Sequence, residues 1–244
     1  MADQSPKVRG VADIVFLIDV TGSMQHCIDA LRQNITTFVH SLTTRDGNNP
    51  SPLKDWRARV VGYRDFEYTN VPPYEDNPFV RSAEEIVAQL ARLKADGGED
   101  EAESLLDALY KVATVGQTEK GVQEEDSYKW RYRSVAARVV VAFTDASYHE
   151  RMSLSDARGG DVSDVINAVA SNRILLSLFA PDMPCYDKLS QVNRCEYEAI
   201  RYDKSDVYGA QKALKAFTAD PKNFQSTLQQ LAKSVSRSAE TPEL

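Results

Sequence analysis

Unbroken hydrophobic stretches alternate along this chain with stretches in which apolar residues return every three or four positions. Asp13 to Asp19, Ala136 to Asp145 and Arg173 to Ala180 are of the first kind. They are too continuous for strands with one wet face and predict strands covered on both sides. Arg57 to Tyr63 predicts another strand, and Tyr197 to Tyr202 a short last one. The second kind predicts amphipathic helices. From Ser23 to Leu42 the residues Met24, Cys27, Ile28, Leu31, Ile35, Phe38, Val39 and Leu42 share a face. Ile86, Val87, Leu90 and Leu93 do so between Ala83 and Lys94. Leu105, Leu106, Leu109 and Val112 do so in a helix expected to begin at the acidic run Glu99 to Glu103. Val162 to Asn172, a short helix at Tyr186 to Val192, a helical segment around Leu214 and Phe217, and a helix carrying Phe224, Leu228, Leu231 and Val235 complete the series.

Polar stretches separate these elements. Tyr68 to Arg81 holds Pro72, Pro73 and Pro78, which exclude a central strand. Its aromatics are expected to pin an irregular loop, with a short edge strand near Phe79 and Val80. Gly116 to Ser134 predicts an exposed loop whose acidic cluster (Glu124 to Asp126) pairs with its basic one (Lys129 to Arg133). Ala146 to Glu150 predicts a loop after the Asp145 strand. Alternating strands and helices indicate an α/β fold, a mostly parallel sheet wrapped on both faces. No shift in composition divides the chain. One domain is expected over residues 11–236, between tails at 1–10 and 237–244.

Charge narrows the partners. The formal net charge of −7 opposes non-specific binding to nucleic acid or to an anionic membrane, and favours a cation. No apolar stretch reaches spanning length, and the first residues lack the apolar core of a signal peptide, so a cytoplasmic location is expected. Cys27, Cys185 and Cys195 make no disulfide framework and are expected to be free thiols.

The chemistry concentrates where the first apolar run ends. Asp19-Val20-Thr21-Gly22-Ser23 offers a carboxylate and two hydroxyls at the C-terminal end of a buried strand, the edge where open α/β sheets bind ligands. An all-oxygen donor set suits a hard divalent cation, Mg²⁺ or Mn²⁺. The competing reading is that Thr21 and Ser23 only cap the next helix. Thr144-Asp145 repeats the pattern of a buried strand ending in a carboxylate, and Gly97-Gly98 marks a tight turn before the acidic run. His149 beside Glu150 has no second histidine or cysteine at zinc spacing.

In this order the motifs resemble those of the von Willebrand factor type A domain with its metal-ion-dependent adhesion site, and the resemblance spans about Val11 to Ser236. It implies a Rossmann-like, six-stranded, doubly wound sheet with one short antiparallel edge strand. It implies a metal at the sheet's C-terminal edge and a protein partner. Carried over residue by residue, it makes Asp19, Thr21 and Ser23 the first-loop ligands, Asp145 a ligand direct or through water, and Asp100 the middle-loop ligand, with Glu99, Glu101 and Glu103 as rivals. Adhesive members place a threonine in the middle loop. An aspartate there adds charge beside the cation, which tightens metal binding and weakens attraction for an acidic partner. Asp65 is either an outer-sphere acceptor or a surface partner of Arg64. The resemblance points to intracellular multiprotein assemblies, some working with AAA ATPases, and to a chain that is monomeric when isolated.

Two other classes compete with a non-catalytic binding module. Carboxylates around Mg²⁺ also serve phosphohydrolases. The haloacid-dehalogenase pattern, however, needs Asp-x-Asp where this chain has Asp19-Val20-Thr21, and there is no phosphate loop or nucleophile elbow. The remaining class is a structural subunit that leaves its metal site unused.

Overall fold

The computed structural model describes residues 10–45, 52–67, 72–98, 102–122 and 124–240. Eight strands occur among them: β1 (Val11–Asp19), β2 (Asp55–Tyr63), β3 (Tyr74–Glu75), β4 (Ala102–Glu103), β5 (Ala137–Phe143), β6 (Ser147–Tyr148), β7 (Ile174–Pro181) and β8 (Glu196–Ile200). Seven α-helices accompany them: α1 (Gln25–Thr43), α2 (Ala83–Arg92), α3 (Leu105–Thr114), α4 (Val162–Ser171), α5 (Pro184–Leu189), α6 (Gly209–Ala219) and α7 (Pro221–Glu240). The main sheet has six strands in the order β3-β2-β1-β5-β7-β8, all parallel except β3 at the edge. β4 and β6 form a separate two-residue parallel ribbon.

The alternation of side chains along β1 explains why its apolar run is unbroken. Ile14, Phe16 and Ile18 join one core with α1, α2, α6 and α7, in which Phe38, Leu90, Leu214 and Phe224 are buried. Val15 and Leu17 join the other core with α3, α4 and α5, through Leu109, Val165 and Tyr186. The chain leaves β1 towards β2 on one side and later returns to β5 on the other. The reversal opens a crevice at the C-terminal ends of β1 and β5, where ligands of such sheets bind.

Several expectations need correction. The edge strand is Tyr74–Glu75, and Val80 makes only an isolated antiparallel bridge to Ala58. The segment after β5 is not all loop, since Ser147 and Tyr148 pair with Ala102 and Glu103. That pairing holds Glu103 in a strand, so α3 begins at Leu105 and not in the acidic run. α7 continues past residue 236 and buries Ala239, whose carbonyl accepts from the Gly10 amide.

The 116–134 segment is not simply exposed. Trp130 is fully buried against Phe79 and donates from its indole to the Val112 carbonyl. Arg131 is buried as well, because Asp13 inside β1 requires it. Asp13 accepts from Arg57 Nε and Nη2 at 2.9 Å, from the Arg131 amide at 2.7 Å and from Arg131 Nε at 2.6 Å. A carboxylate with no exposure is tolerated only when so satisfied. The expected pairing within the segment also exists, as Lys129–Asp126 and Arg131–Glu125.

Candidate metal centre

β1 delivers Asp19 to the crevice with its carboxylate fully buried. Oδ1 accepts from the Thr21 amide at 3.0 Å and the Thr21 hydroxyl at 2.7 Å. Oδ2 accepts from the Thr144 hydroxyl at 2.8 Å, across the β1–β5 junction. The turn at Gly22–Met24 swings the next residues over the strand end, and the Ser23 hydroxyl donates to Asp145 Oδ1 at 3.1 Å. Thr21 caps no helix through its side chain, and neither does Met24 at the start of α1. The capping explanation for Thr21 and Ser23 therefore fails, since both hydroxyls face carboxylates.

Asp145 is nearly buried, and its Oδ2 has no hydrogen-bond partner. Burial, followed by the charge of Asp19, pushes its carboxyl up to about 7. Burial likewise raises the Asp19 carboxyl, against the lowering effect of its hydrogen bonds to Thr21 and Thr144. Two carboxylates thus share a buried crevice, and the Asp19 charge disfavours ionisation of Asp145. The Cys27 thiol below them is pushed up by burial and by both charges, and stays protonated.

The middle turn closes over this crevice. The Gly22 amide donates to the Gly97 carbonyl at 3.0 Å, and the Asp96 amide to the Val20 carbonyl at 3.0 Å. Gly97 and Gly98 both have positive φ, and a Cβ on Gly98 would stand 2.9 Å from Thr21 Cβ and 3.2 Å from Glu103 Oε1. Positive φ favours glycine at both positions, and close approach requires it at Gly98, with the buried Glu103 carboxylate on its far side. Asp100, the expected middle-loop residue, lies outside the described residues, as do Glu99 and Glu101. Glu103 is the rival that the fold brings beside Thr21. Its signal in the sequence is muted, because a carboxylate just before a helical pattern looks like a response to the helix dipole.

Tyr63, ending β2, carries no signal in the sequence beyond that of a strand residue. Its hydroxyl is buried without a hydrogen-bond partner, and burial followed by the Asp19 charge raises its pKa well above the ordinary value. Asp65 is not a surface partner of Arg64. Both are buried, and Asp65 Oδ1 accepts from the Ser104 hydroxyl at 3.2 Å while Oδ2 lies 3.0 Å from His149 Nε2. Among the described residues no three His, Cys, Asp or Glu side chains gather into a cage of their own. The hydroxyls beside the two carboxylates are those of Thr21, Ser23 and Thr144.

No family model matches the chain. A Dictyostelium discoideum protein, alpha-protein kinase vwkA, is 27% identical over 156 residues, which span 63% of this chain but only 22% of that protein. Solved structures of proximal thread matrix protein 1 from the mussel byssus superpose with a TM-score of 0.53 at 11% identity, over 93% of this chain and 47% of theirs. A structure of the same byssal protein with a zinc-occupied MIDAS motif superposes with a TM-score of 0.53 at 12% identity, over 89% of this chain and 49% of that one. The fold is type A-like. The chain spans about a fifth of the kinase's length and half of the byssal protein's. Among the described residues no helix is long and apolar enough to cross a membrane.

Proposed function

We propose that this chain is a non-catalytic, divalent-cation-dependent protein-binding module. The observation that carries the reading is the pair of buried carboxylates, Asp19 and Asp145, from adjacent strand ends, with Asp145 Oδ2 left without a partner. Two anions in one dry crevice are costly unless a cation joins them. Asp19, Asp145, Thr21 and Ser23 would hold it, and their oxygens suit Mg²⁺ or Mn²⁺. Glu103 would add charge from behind Thr21. When bound, the cation would present an open coordination position to an oxygen of the partner. The zinc-occupied motif named for the byssal protein supports a divalent cation on this fold.

The non-catalytic part rests on side-chain pairing. Ser23 and Ser104 both donate to carboxylates, and His149 is engaged by Asp65. No serine meets a histidine among these described groups, so the serine–histidine pairing of a hydrolase nucleophile is not formed by them. The test is calorimetry on chelator-stripped protein with Mg²⁺, Mn²⁺ and Zn²⁺ in turn. Binding of one cation per chain, lost in Asp19→Ala and Asp145→Ala, is expected. No heat with any of the three at millimolar concentration overturns the reading.

A further inference from the structure

Arg64 and Asp65 follow β2 directly, and their side chains reach opposite flanks of the middle turn. Arg64 is only 4% exposed, and its guanidinium donates in three directions. Nε gives 3.1 Å to the Asp96 carbonyl, and Nη2 gives 2.6 Å to the Lys94 carbonyl. Nη1 gives 2.9 Å to the Pro72 carbonyl and 2.6 Å to Glu75 Oε1. The stretch entering Gly97-Gly98 is thereby tied to the end of β2 and to the β3 edge.

Asp65 holds the other flank. Oδ1 accepts from the Glu67 amide at 2.8 Å and from the Ser104 hydroxyl, and Ser104 Oγ in turn accepts from the Phe66 amide at 2.9 Å. Oδ2 faces His149 Nε2, and the His149 amide donates to the Glu103 carbonyl at 3.2 Å. Glu103 is thus fixed from both neighbours: Ser104 is tied to Asp65, and β6 is tied to Asp65 through His149.

We propose that Arg64 and Asp65 are positioning residues that together set how closely Gly98 and Glu103 approach Thr21, and thereby set the affinity of the crevice for a divalent cation. The affinity part rests on the cation reading above; the positioning part does not. Arg64 suits the role because a planar guanidinium holds its donors in a fixed fork that spans separated carbonyls, whereas a lysine offers a single compact centre. Partners that orient ligands from behind commonly change metal affinity by about 10–100-fold when removed.

The test compares Arg64→Met, Asp65→Ala, Asp65→Asn and Ser104→Ala with the wild type. Hydrogen exchange on the metal-free proteins reads the Asp96 and His149 amides as reporters of the two flanks, with amides of β1 and β5 as the reference. Arg64→Met is expected to speed exchange at Asp96, and Asp65→Ala at His149, while the reference amides stay as in the wild type. Mn²⁺ affinity by calorimetry is expected to fall about tenfold or more in both. Asp65→Asn keeps the Oδ1 acceptor and should lose less than about threefold, a partial rescue that general damage to the fold would not give. Flank amides that exchange as in the wild type, or Mn²⁺ affinities unchanged in Arg64→Met and Asp65→Ala, overturn the proposal. Should Arg64→Met fail to fold, Ser104→Ala, which removes one hydroxyl, decides the matter by the same two readings. If the wild type itself binds no cation, the function fails, and the exchange data alone decide the positioning role.

Discussion

Replacing Asp145 by asparagine should make the metal-free protein more stable at pH 8 and not at pH 5. In the folded chain the Asp145 carboxyl is pushed up to about 7 from an ordinary 3.8, first by burial and then by Asp19. The folded state therefore keeps a proton between about pH 4 and 7 that the unfolded chain has released. Where the native state binds more protons, stability falls as pH rises, so the contribution is intact near pH 4 and lost above about 7. A carboxyl that ionises about three pH units later in the folded chain than in the unfolded one costs about 4 kcal/mol of stability by pH 8. Asparagine never ionises, keeps an oxygen for the Ser23 hydroxyl and so avoids that loss. Its amide group, placed where Oδ2 has no partner, costs about 1–3 kcal/mol of desolvation. The net gain at pH 8 is about 1–3 kcal/mol, or about 2–10 °C in melting temperature for a chain of this size. At pH 5 the folded carboxyl keeps its proton while the unfolded one has ionised, a loss of only about 1–2 kcal/mol that the cost of the asparagine amide offsets, so the variant should melt near the wild-type temperature. The assay is thermal melting in chelator at both pH values. A change in melting temperature that is no more positive at pH 8 than at pH 5 would refute the idea that Asp145 is a buried, incompletely satisfied carboxylate beside Asp19.

The same crevice predicts how cation binding responds to pH. Below about 7 a cation must displace the Asp145 proton, so Mn²⁺ affinity should fall about tenfold per pH unit from 7 towards 5 and level off above; calorimetry showing a flat profile excludes the displacement. Gly98→Ala should cost about 1–3 kcal/mol through its positive φ and its contact with Thr21, and should weaken Mn²⁺ binding; a melting temperature and an affinity both equal to wild type contradict the close approach. Asp13→Asn removes the one fully buried countercharge shared by Arg57 and Arg131, leaving them the half-exposed Asp55 and Glu125, and should destabilise by about 3–5 kcal/mol, equally with and without Mn²⁺; a loss confined to the metal-loaded protein would show that the two regions are linked.

The sheet was legible because its signal is local. A run such as Ile14 to Ile18 carries both its strand state and its double coverage in consecutive residues, and the structure seats the alternating side chains in two cores. The crevice was half legible for the same reason. Asp19, Thr21 and Ser23 fall within one turn of chain, and Asp145 ends its own apolar run. What sequence reading missed depends on residues far apart. Arg64 and Asp65 look like an ion pair because they are neighbours, yet successive side chains of extended backbone point to opposite sides. Glu103 looks like the start of a helix because its strand has two residues and exists only through Ser147 and Tyr148.

Trp130 and Arg131 sit in a segment whose composition reads as solvent-exposed. The clue to them lies elsewhere, in Asp13. A carboxylate at the head of an apolar run must be paired if the run is buried, since an isolated buried charge is far too costly. Arg57, at the facing register position on β2, supplies one partner, but its guanidinium satisfies only one face of the carboxylate. A second cation had to arrive from outside the sheet. The basic cluster at Lys129 to Arg133 is a nearby source in the chain order, just before β5, the other neighbour of β1. A charged residue inside a hydrophobic run is therefore a long-range restraint in disguise. It requires that some polar loop be folded inward, and it narrows which loop that is. The same reasoning applies at the opposite end of β1, where the buried carboxyls of Asp19 and Asp145 have hydroxyls around them and no arginine bonded to either. At Asp13 the chain supplies its own cations; at Asp19, in the function proposed above, the positive charge comes from solution.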